Sequence, residues 1–180
     1  MKKLCLIVSL IFLSIGLLGC QQSDKAKELN KEIPQNIPEE MPNDFNFSIH
    51  FGVRKSNEIN TFDGTVTKDL IEDGTVTTEL TLTKDEMKDI YKKMQDINIA
   101  ESKEFTPKSL SGSVCMQEPY EEDEWKITIN GKTITHFISG KYCEPTNDSK
   151  QLIELRNDVF NIIKSKDEYK SLPKSTGGYE

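Results

Sequence analysis

The chain has 180 residues, of which 23 are basic and 30 acidic, and its formal net charge is −7 at pH 7. This length suits one domain with a sizeable core and does not comfortably suit two. The acidic balance argues against nucleic acid as a partner, and against adhesion to anionic lipid through a basic patch.

The first residues follow the pattern of an export signal. Lys2 and Lys3 give a positive start, and the apolar run of about 15 residues that follows is short for a membrane-spanning helix. The run ends in LLGC at residues 17–20, which resembles the lipobox of bacterial lipoproteins. In that family the cysteine sulfur receives a diacylglyceryl group, and the chain is cut just before it. The resemblance implies a lipoprotein signal peptide over residues 1–19.

The same resemblance implies that Cys20 is the site of lipid attachment and that the protein binds membrane lipid through this acylated cysteine. Two acyl chains hold a protein at a bilayer better than one, because each buried CH₂ contributes about 0.8 kcal/mol. We therefore expect a protein anchored in the cell membrane on its extracytoplasmic face. The alternative is a soluble secreted protein that is cut near Gly19 and keeps a free thiol at Cys20.

Residues 20–44 are polar and charged until they near the first strand, and prolines recur there at Pro34, Pro38 and Pro42. Proline removes a backbone donor and fixes φ, so the end of this stretch is expected to be extended. We interpret residues 20–44 as the lipidated cysteine followed by a proline-containing tether. A docking motif built on the Ile-Pro and Met-Pro pairs is the alternative.

Three strands are predicted next. Residues 45–53 alternate strictly between apolar and polar side chains, which is typical of a half-buried strand. Further strands are expected around residues 61–70 and 75–82. The sequence between them, IEDGT, is typical of a hairpin turn.

The apolar pattern predicts the register of this hairpin. A three-residue loop over residues 72–74 pairs Leu70 with Val76 and collects most apolar residues on one face. It also places Gly74 at the left-handed position that such loops need. The predicted register leaves Ile71 on the opposite face.

Two helices and a second hairpin are predicted in the rest of the chain. TKDE at residues 83–86 is a capping box, and an apolar stripe follows it. Residues 125–138 form a hairpin around the two-residue turn NG, which pairs Trp125 with His136 on the apolar face. A second helix is expected over residues 148–166.

Cys115 and Cys143 are the cysteines that remain once the signal is removed and Cys20 is acylated. In an oxidising exterior two such cysteines are expected to form a disulfide. The second hairpin brings them into one neighbourhood, but strict register places Glu118 opposite Cys143, so the chain before residue 119 has to bend. Two unconnected buried thiols are the alternative.

Together these elements predict an α+β fold, a two-layer sandwich over residues 45–172, followed by a polar tail over residues 173–180. A mostly antiparallel sheet of about five strands, in the order βββ-α-ββ-α, is expected to lay its apolar face on two helices. The open face is interpreted either as a binding surface or as an ordinary solvated face. Its expected residues are Ser48, Thr67, Ile71, Thr77, Thr81, Thr128, Thr133, Thr135 and Phe137.

No catalytic residue, metal ligand or cofactor is predicted. The two histidines are His50, on the polar face of its strand, and His136, which we interpret as a satisfied core residue. DLIEDG at residues 69–74 fails as a calcium loop, because Ile71 occupies a ligand position. The chain is therefore expected not to be an enzyme.

Two stretches of the sequence resemble a group of small lipoproteins of Bacillus-type Gram-positive bacteria: NEINTFDGTVTKDLIEDGTVTTELTLTKDEM at residues 57–87 and LPKSTGGYE at residues 172–180. The resemblance covers most of the mature chain and implies a compartment, but no activity and no functional residues. We expect a membrane-anchored, non-catalytic binding module whose partner is a protein or another component of the envelope. The alternative is an inhibitor or immunity-type protein that acts on a secreted enzyme.

Overall fold

The computed structural model describes residues 37–108 and 115–180. The predicted signal peptide, Cys20 and most of the predicted tether lie outside these ranges. In chain order the helices and strands are β1 Asn46–Val53, β2 Asn57–Asn60, β3 Thr65–Ile71, β4 Gly74–Glu79, α1 Lys84–Asp96, β5 Glu121–Ile129, β6 Lys132–Ser139, α2 Asn147–Ser165 and α3 Asp167–Lys170.

Within the described residues, six strands form one antiparallel sheet in the order β4-β3-β2-β1-β5-β6. One hydrophobic core joins the sheet to α1 and α2. The predicted α+β sandwich is confirmed, with six strands in place of about five. The additional strand is β2, because residues 61–64, which were expected to be strand, form the turn between β2 and β3.

β1 lies near the middle of the sheet and organises both of its faces. Phe47, Ile49 and Phe51 belong to the core and are at most 3% exposed. Burial of each such side chain contributes roughly 1.5–3 kcal/mol, which fixes the orientation of the strand. Because side chains alternate along a strand, Ser48 and His50 are directed to the opposite face.

The register predicted for the second hairpin is confirmed. Trp125 lies opposite His136, and both residues are buried on the helix-covered face. The turn residues Asn130 and Gly131 have φ values of 49° and 68°, as the two-residue turn requires. In the first hairpin the expected positive φ of Gly74 is also found, at 75°.

The register predicted for the first hairpin is wrong. Lys68, and not Leu70, lies opposite Val76, and the pairing shifts between Asp69 and Ile71 at a β-bulge. Asp69 Oδ1 accepts a hydrogen bond of 2.8 Å from the Ile71 N–H, which stabilises the bulge. The apolar pattern was misleading because a bulge adds a residue to one strand, so Leu70 is buried without facing Val76.

Cys115 and Cys143 form the predicted disulfide, with their Cα atoms 5.4 Å apart. The Cys143 N–H donates a hydrogen bond of 3.2 Å to the carbonyl of Cys115. A β-bridge joins the neighbouring residues Met116 and Tyr142. The chain between this bridge and β5 therefore bends, as the prediction required, and brings the two cysteines opposite each other.

The end of the predicted tether packs against the domain. Ile37 and Met41 contact the hydrophobic core. The Tyr91 hydroxyl donates a hydrogen bond of 2.8 Å to the carbonyl of Pro38. Residues 37–44 are therefore attached to the side of the domain that carries α1.

The predicted polar tail also lies against the domain. Thr176 forms a parallel bridge with Ile71. The Ser175 hydroxyl donates to the carbonyl of Asp69 at 2.7 Å, and the Tyr179 hydroxyl donates to the Asp69 carboxylate. Because these contacts all meet the β-bulge, the tail braces the end of β3.

Candidate functional site

The open face of the sheet, which points away from α1 and α2, carries a row of side chains that crosses four strands, of which three contribute polar residues. The register places His50 of β1 between Glu58 of β2 and Glu124 of β5. Glu124 in turn lies opposite Phe137 of β6. His50 Nε2 is 3.4 Å from Glu58 Oε1. The row thus sets one imidazole between two carboxylates and ends at an aromatic ring.

Lys55, in the turn after β1, connects this row to its aromatic end. Its Nζ donates a hydrogen bond to Glu124 Oε2 and lies 5.5 Å from the centroid of the Phe137 ring. The hydrogen bond from Lys55 holds the pKa of Glu124 below its usual range. Exposed ion pairs of this kind contribute little to stability, so their main effect here is on the shape and charge of the surface.

Two aromatic side chains on the open face are exposed to solvent, Phe137 by 48% and Phe62 by 41%. The turn before β3 presents Phe62, whose N–H donates to Asn60 Oδ1 at 3.0 Å. Lys126 of β5 lies over its ring, with Nζ 5.3 Å from the centroid. Single exposed apolar residues are ordinary, whereas this face carries two partly exposed aromatic rings, each with a lysine over it.

Some hydroxyl-bearing residues of the predicted open face already have partners. Thr67 and Thr77 face each other across β3 and β4, and their hydroxyl oxygens are 2.8 Å apart. Ser48 is only 8% exposed. Ile71, expected on this face, instead pairs with Thr176 at the bulge. The accessible part of the open face is therefore concentrated on β1, β5, β6 and the turn that carries Phe62.

His136 has the structural role expected from the sequence. Its Nε2 lies 2.7 Å from the carbonyl of Ile99, and the Phe105 ring packs edge-on against it. Burial lowers the pKa of His136. The hydrogen bond to Ile99 raises this pKa, but by less than burial lowers it. His136 is therefore neutral at neutral pH and donates its Nε2 proton to this carbonyl.

The acidic run at residues 121–124 begins β5. Asp123 points to the core and is 2% exposed. Arg156 of α2 donates to it from Nε at 3.2 Å and to Glu121 from Nη2 at 2.9 Å. The Arg156 guanidinium also lies 5.4 Å from the Phe51 ring centroid. Burial raises the pKa of Asp123 to about 6, and the charge of Arg156 opposes this shift.

This buried pair is a structural clamp between β5 and α2. Arg156 of α2 satisfies the Asp123 carboxylate from the helix-covered side of the sheet, away from the open face. A perturbed pKa often marks a functional site, but structural ion pairs produce the same signature. Sequence reasoning missed the clamp because the predicted strand began at Trp125, whereas β5 begins at Glu121 and alternation places Asp123 on the inward face.

No cluster of His, Cys, Asp or Glu with the geometry of a metal site occurs in residues 37–108 and 115–180. In the same part of the chain, no helix is long and apolar enough to cross a membrane. No protein-family model matches the sequence, and no curated protein matches it either.

Proposed function

We propose that this protein is a non-catalytic binding module, held at the extracytoplasmic face of the cell membrane by lipid on Cys20, which binds a partner protein through its open face. The observation that carries the proposal is the exposure of Phe62 and Phe137 on one face. Rings of this kind, surrounded by charged groups, are common at the centres of protein interfaces.

The surroundings of His50 favour binding over catalysis. Its contact on the row is the carboxylate of Glu58. Within the described ranges no hydrogen bond joins His50 to a hydroxyl or thiol that it could activate. The row provides charge and shape for recognition without a paired nucleophile and base.

The proposal is tested by photo-crosslinking in cells that produce the full chain. A photoreactive residue in place of Thr133, which is exposed on β6 of the open face, should form a covalent adduct with a membrane or envelope protein. A matched probe in place of Lys150, which is exposed on α2, should not. The adduct at Thr133 should be lost in Phe62→Ser and Phe137→Ser. An adduct that survives both substitutions would contradict binding through this face.

The inhibitor or immunity-type role is the second candidate, and one feature favours it. The disulfide and the hydrogen bond from the Gln117 N–H to the Lys141 carbonyl brace residues 115–117. Met116 in this braced segment is 67% exposed. A rigid segment that presents an apolar side chain is suited to enter the cleft of an enzyme. Met116→Ser distinguishes the two roles, because it should weaken an inhibitor and leave the Thr133 adduct intact.

A further inference from the structure

β6 is one of the two edge strands of the sheet, and the register shows which of its backbone groups face outward. The Gly140 N–H donates to the Glu121 carbonyl at 2.8 Å. In an antiparallel ladder hydrogen-bonded and non-hydrogen-bonded pairs alternate, so the odd-numbered residues of β6 do not bond to β5. The N–H and C=O groups of Thr133, Thr135 and Phe137 therefore point to the edge. Nothing in the described chain forms a backbone hydrogen bond with them.

Within residues 37–108 and 115–180, this edge lacks the usual protection against strand pairing. Natural edge strands are commonly guarded by lysine, proline, bulges or a covering segment. The residues of β6 whose backbone groups point to the edge are Thr133, Thr135 and Phe137, and their side chains are exposed. β6 also pairs with β5 without a register shift. As far as the described part of the chain is concerned, the edge is therefore open and regular enough to accept another strand.

A cleft of about 850 Å³ runs beside this edge. One side is formed by residues 134–137 of β6 and the other by residues 100–105, called here the wall. The wall is fixed in place, because Lys103 Nζ donates to the Ile97 carbonyl at 2.6 Å and the Glu104 N–H donates to Asp148 Oδ2 at 2.7 Å. The edge and the wall together make a preformed groove.

The charges beside the groove favour a basic occupant. Lys103 of the wall is buried and pairs with Asp148, at 3.5 Å. Lys126 is directed to the Phe62 ring. Glu101 of the wall and Glu122 of β5 make no ion pair with any residue in the described ranges. Lys55, which lies over the Phe137 ring, is already paired with Glu124. Glu101 and Glu122 are thus carboxylates beside the groove that a cationic side chain would complement.

We infer that the groove binds an extended, basic polypeptide segment of a partner protein, which adds to β6 as a seventh strand. Main-chain hydrogen bonds to the outward groups of β6 supply affinity, and alternate side chains contact Phe137 and the carboxylates. This inference rests on the proposed binding function and names the partner chemistry at one end of the open face. A second copy of β6 fits less well, because twofold pairing places both walls on the same side of the joined sheet, where they face each other.

Selection from a phage library of random twelve-residue peptides against the purified protein tests the inference. Enriched peptides should carry net positive charge, bind more weakly as salt is raised, and slow hydrogen exchange at the amides of Thr133, Thr135 and Phe137. Thr135→Pro should reduce their affinity about tenfold or more, because it removes an outward N–H that the β5–β6 ladder does not use. The matched control is Thr77→Pro at the corresponding position of the opposite edge strand, β4, which should leave affinity unchanged.

The outcomes separate the possibilities. Enriched peptides that are acidic, or that slow hydrogen exchange only at amides away from β6, would overturn the inference. An absence of enriched peptides would overturn it as well. Protection of the β6 amides that grows with protein concentration in the absence of peptide would assign the edge to a second copy instead. If Thr135→Pro leaves the cellular Thr133 adduct intact while Phe62→Ser abolishes it, the strand inference fails and the open-face proposal stands. If peptides bind β6 but neither phenylalanine affects the adduct, the open-face proposal fails alone.

Discussion

The carboxylate of Asp44 caps the turn at Gly131, although the two residues are 87 positions apart in the chain. Asp44 Oδ2 accepts from the Gly131 N–H at 2.6 Å, and Oδ1 accepts from the Asn130 N–H at 3.0 Å. A carboxylate that accepts two backbone N–H groups makes charge-assisted hydrogen bonds, which are stronger than neutral ones. The segment that precedes β1 is thereby fastened to the β5–β6 hairpin.

Asp44→Ala should destabilise the fold, because both turn amides lose a charged acceptor. We expect a loss of about 1–3 kcal/mol in the free energy of unfolding. Urea denaturation of the variant and the unsubstituted protein measures this difference. Glu40→Ala, at a nearby exposed residue, is the matched control and should change stability by less than about 0.5 kcal/mol. Equal effects of the two substitutions would contradict the capping role.

The two hairpins show what the sequence predicts and where it fails. The turn at Asn130-Gly131 has strong local chemistry and an uninterrupted ladder, so its register follows from local residues. The other register depends on the bulge at Asp69, which contacts Ser175 and Tyr179 of the distant tail. No periodicity within a strand encodes contacts with a segment so far along the chain.

The same limit applies to the candidate site. The exposure of Phe137 and the placement of His50 on the polar face follow from alternation along their own strands. The row from Glu58 through His50 to Glu124 requires the pairing of β1 with β5, and β2, β3, β4, α1 and a long loop lie between these two strands in the chain. Sequence patterns specify faces, whereas the order of non-adjacent strands is set by tertiary packing.

The raised pKa of Asp123 predicts an unusual dependence of stability on pH. The folded-state pKa is about 6 against an ordinary value of 3.8, so the folded state holds the proton more tightly than the unfolded state does. The resulting stabilisation is fully present below about pH 4 and is lost as pH rises through about 6, with a size of roughly 3 kcal/mol. Asp123→Asn should remove this contribution from the curve of stability against pH.

Carbon-detected NMR should find the Asp123 carboxyl titrating with a midpoint near 6. Glu122→Gln, on the same strand but directed to the open face, is the matched control and should leave this midpoint in place. A midpoint near the ordinary value of about 4 would show that Arg156 compensates the burial of Asp123 completely.

Reduction of the disulfide between Cys115 and Cys143 should lower the melting temperature. The bond closes a loop between residues separated by 28 positions, and chain entropy assigns such a loop roughly 3–4 kcal/mol. Cys115→Ser with Cys143→Ser should reproduce the effect of reductant and abolish any further response to it. Thiol titration of the unfolded, unreduced protein should detect neither cysteine. Two titratable thiols at these positions would contradict a disulfide in solution.

Cys20→Ser tests the proposed anchor. Serine lacks the thiol that would receive the lipid. The variant protein should therefore leave the membrane fraction and accumulate as unprocessed precursor or in the medium. Metabolic labelling with a fatty acid should mark the unsubstituted protein alone. Cys115→Ser is the control, because it removes a different cysteine and should leave labelling unchanged. Equal labelling of the Cys20 variant would favour the secreted alternative.

Gly177→Ala should release the tail from the bulge at Asp69. Gly177 has a φ of 78°, and a Cβ added there would lie 2.6 Å from the side chain of Glu72, so both backbone strain and a steric clash oppose alanine. The hydrogen bond to Asp69 raises the pKa of Tyr179. In Gly177→Ala this pKa should fall towards its ordinary value of about 10, and stability should fall by about 1 kcal/mol.

The neighbouring glycine provides the matched control for the tail. A Cβ added to Gly178 meets nothing within 4 Å, so Gly178→Ala should preserve both the pKa of Tyr179 and the stability. Spectrophotometric titration of the tyrosines, with Tyr179→Phe used to assign the signal, measures the pKa of Tyr179. Urea denaturation measures the free energy of unfolding. If both glycine variants behave like the unsubstituted protein, the tail does not brace β3 in solution. If the raised pKa of Tyr179 is lost in Gly177→Ala and kept in Gly178→Ala, the tail braces β3 in solution. Only docking of residues 173–180 brings this hydroxyl to the Asp69 carboxylate.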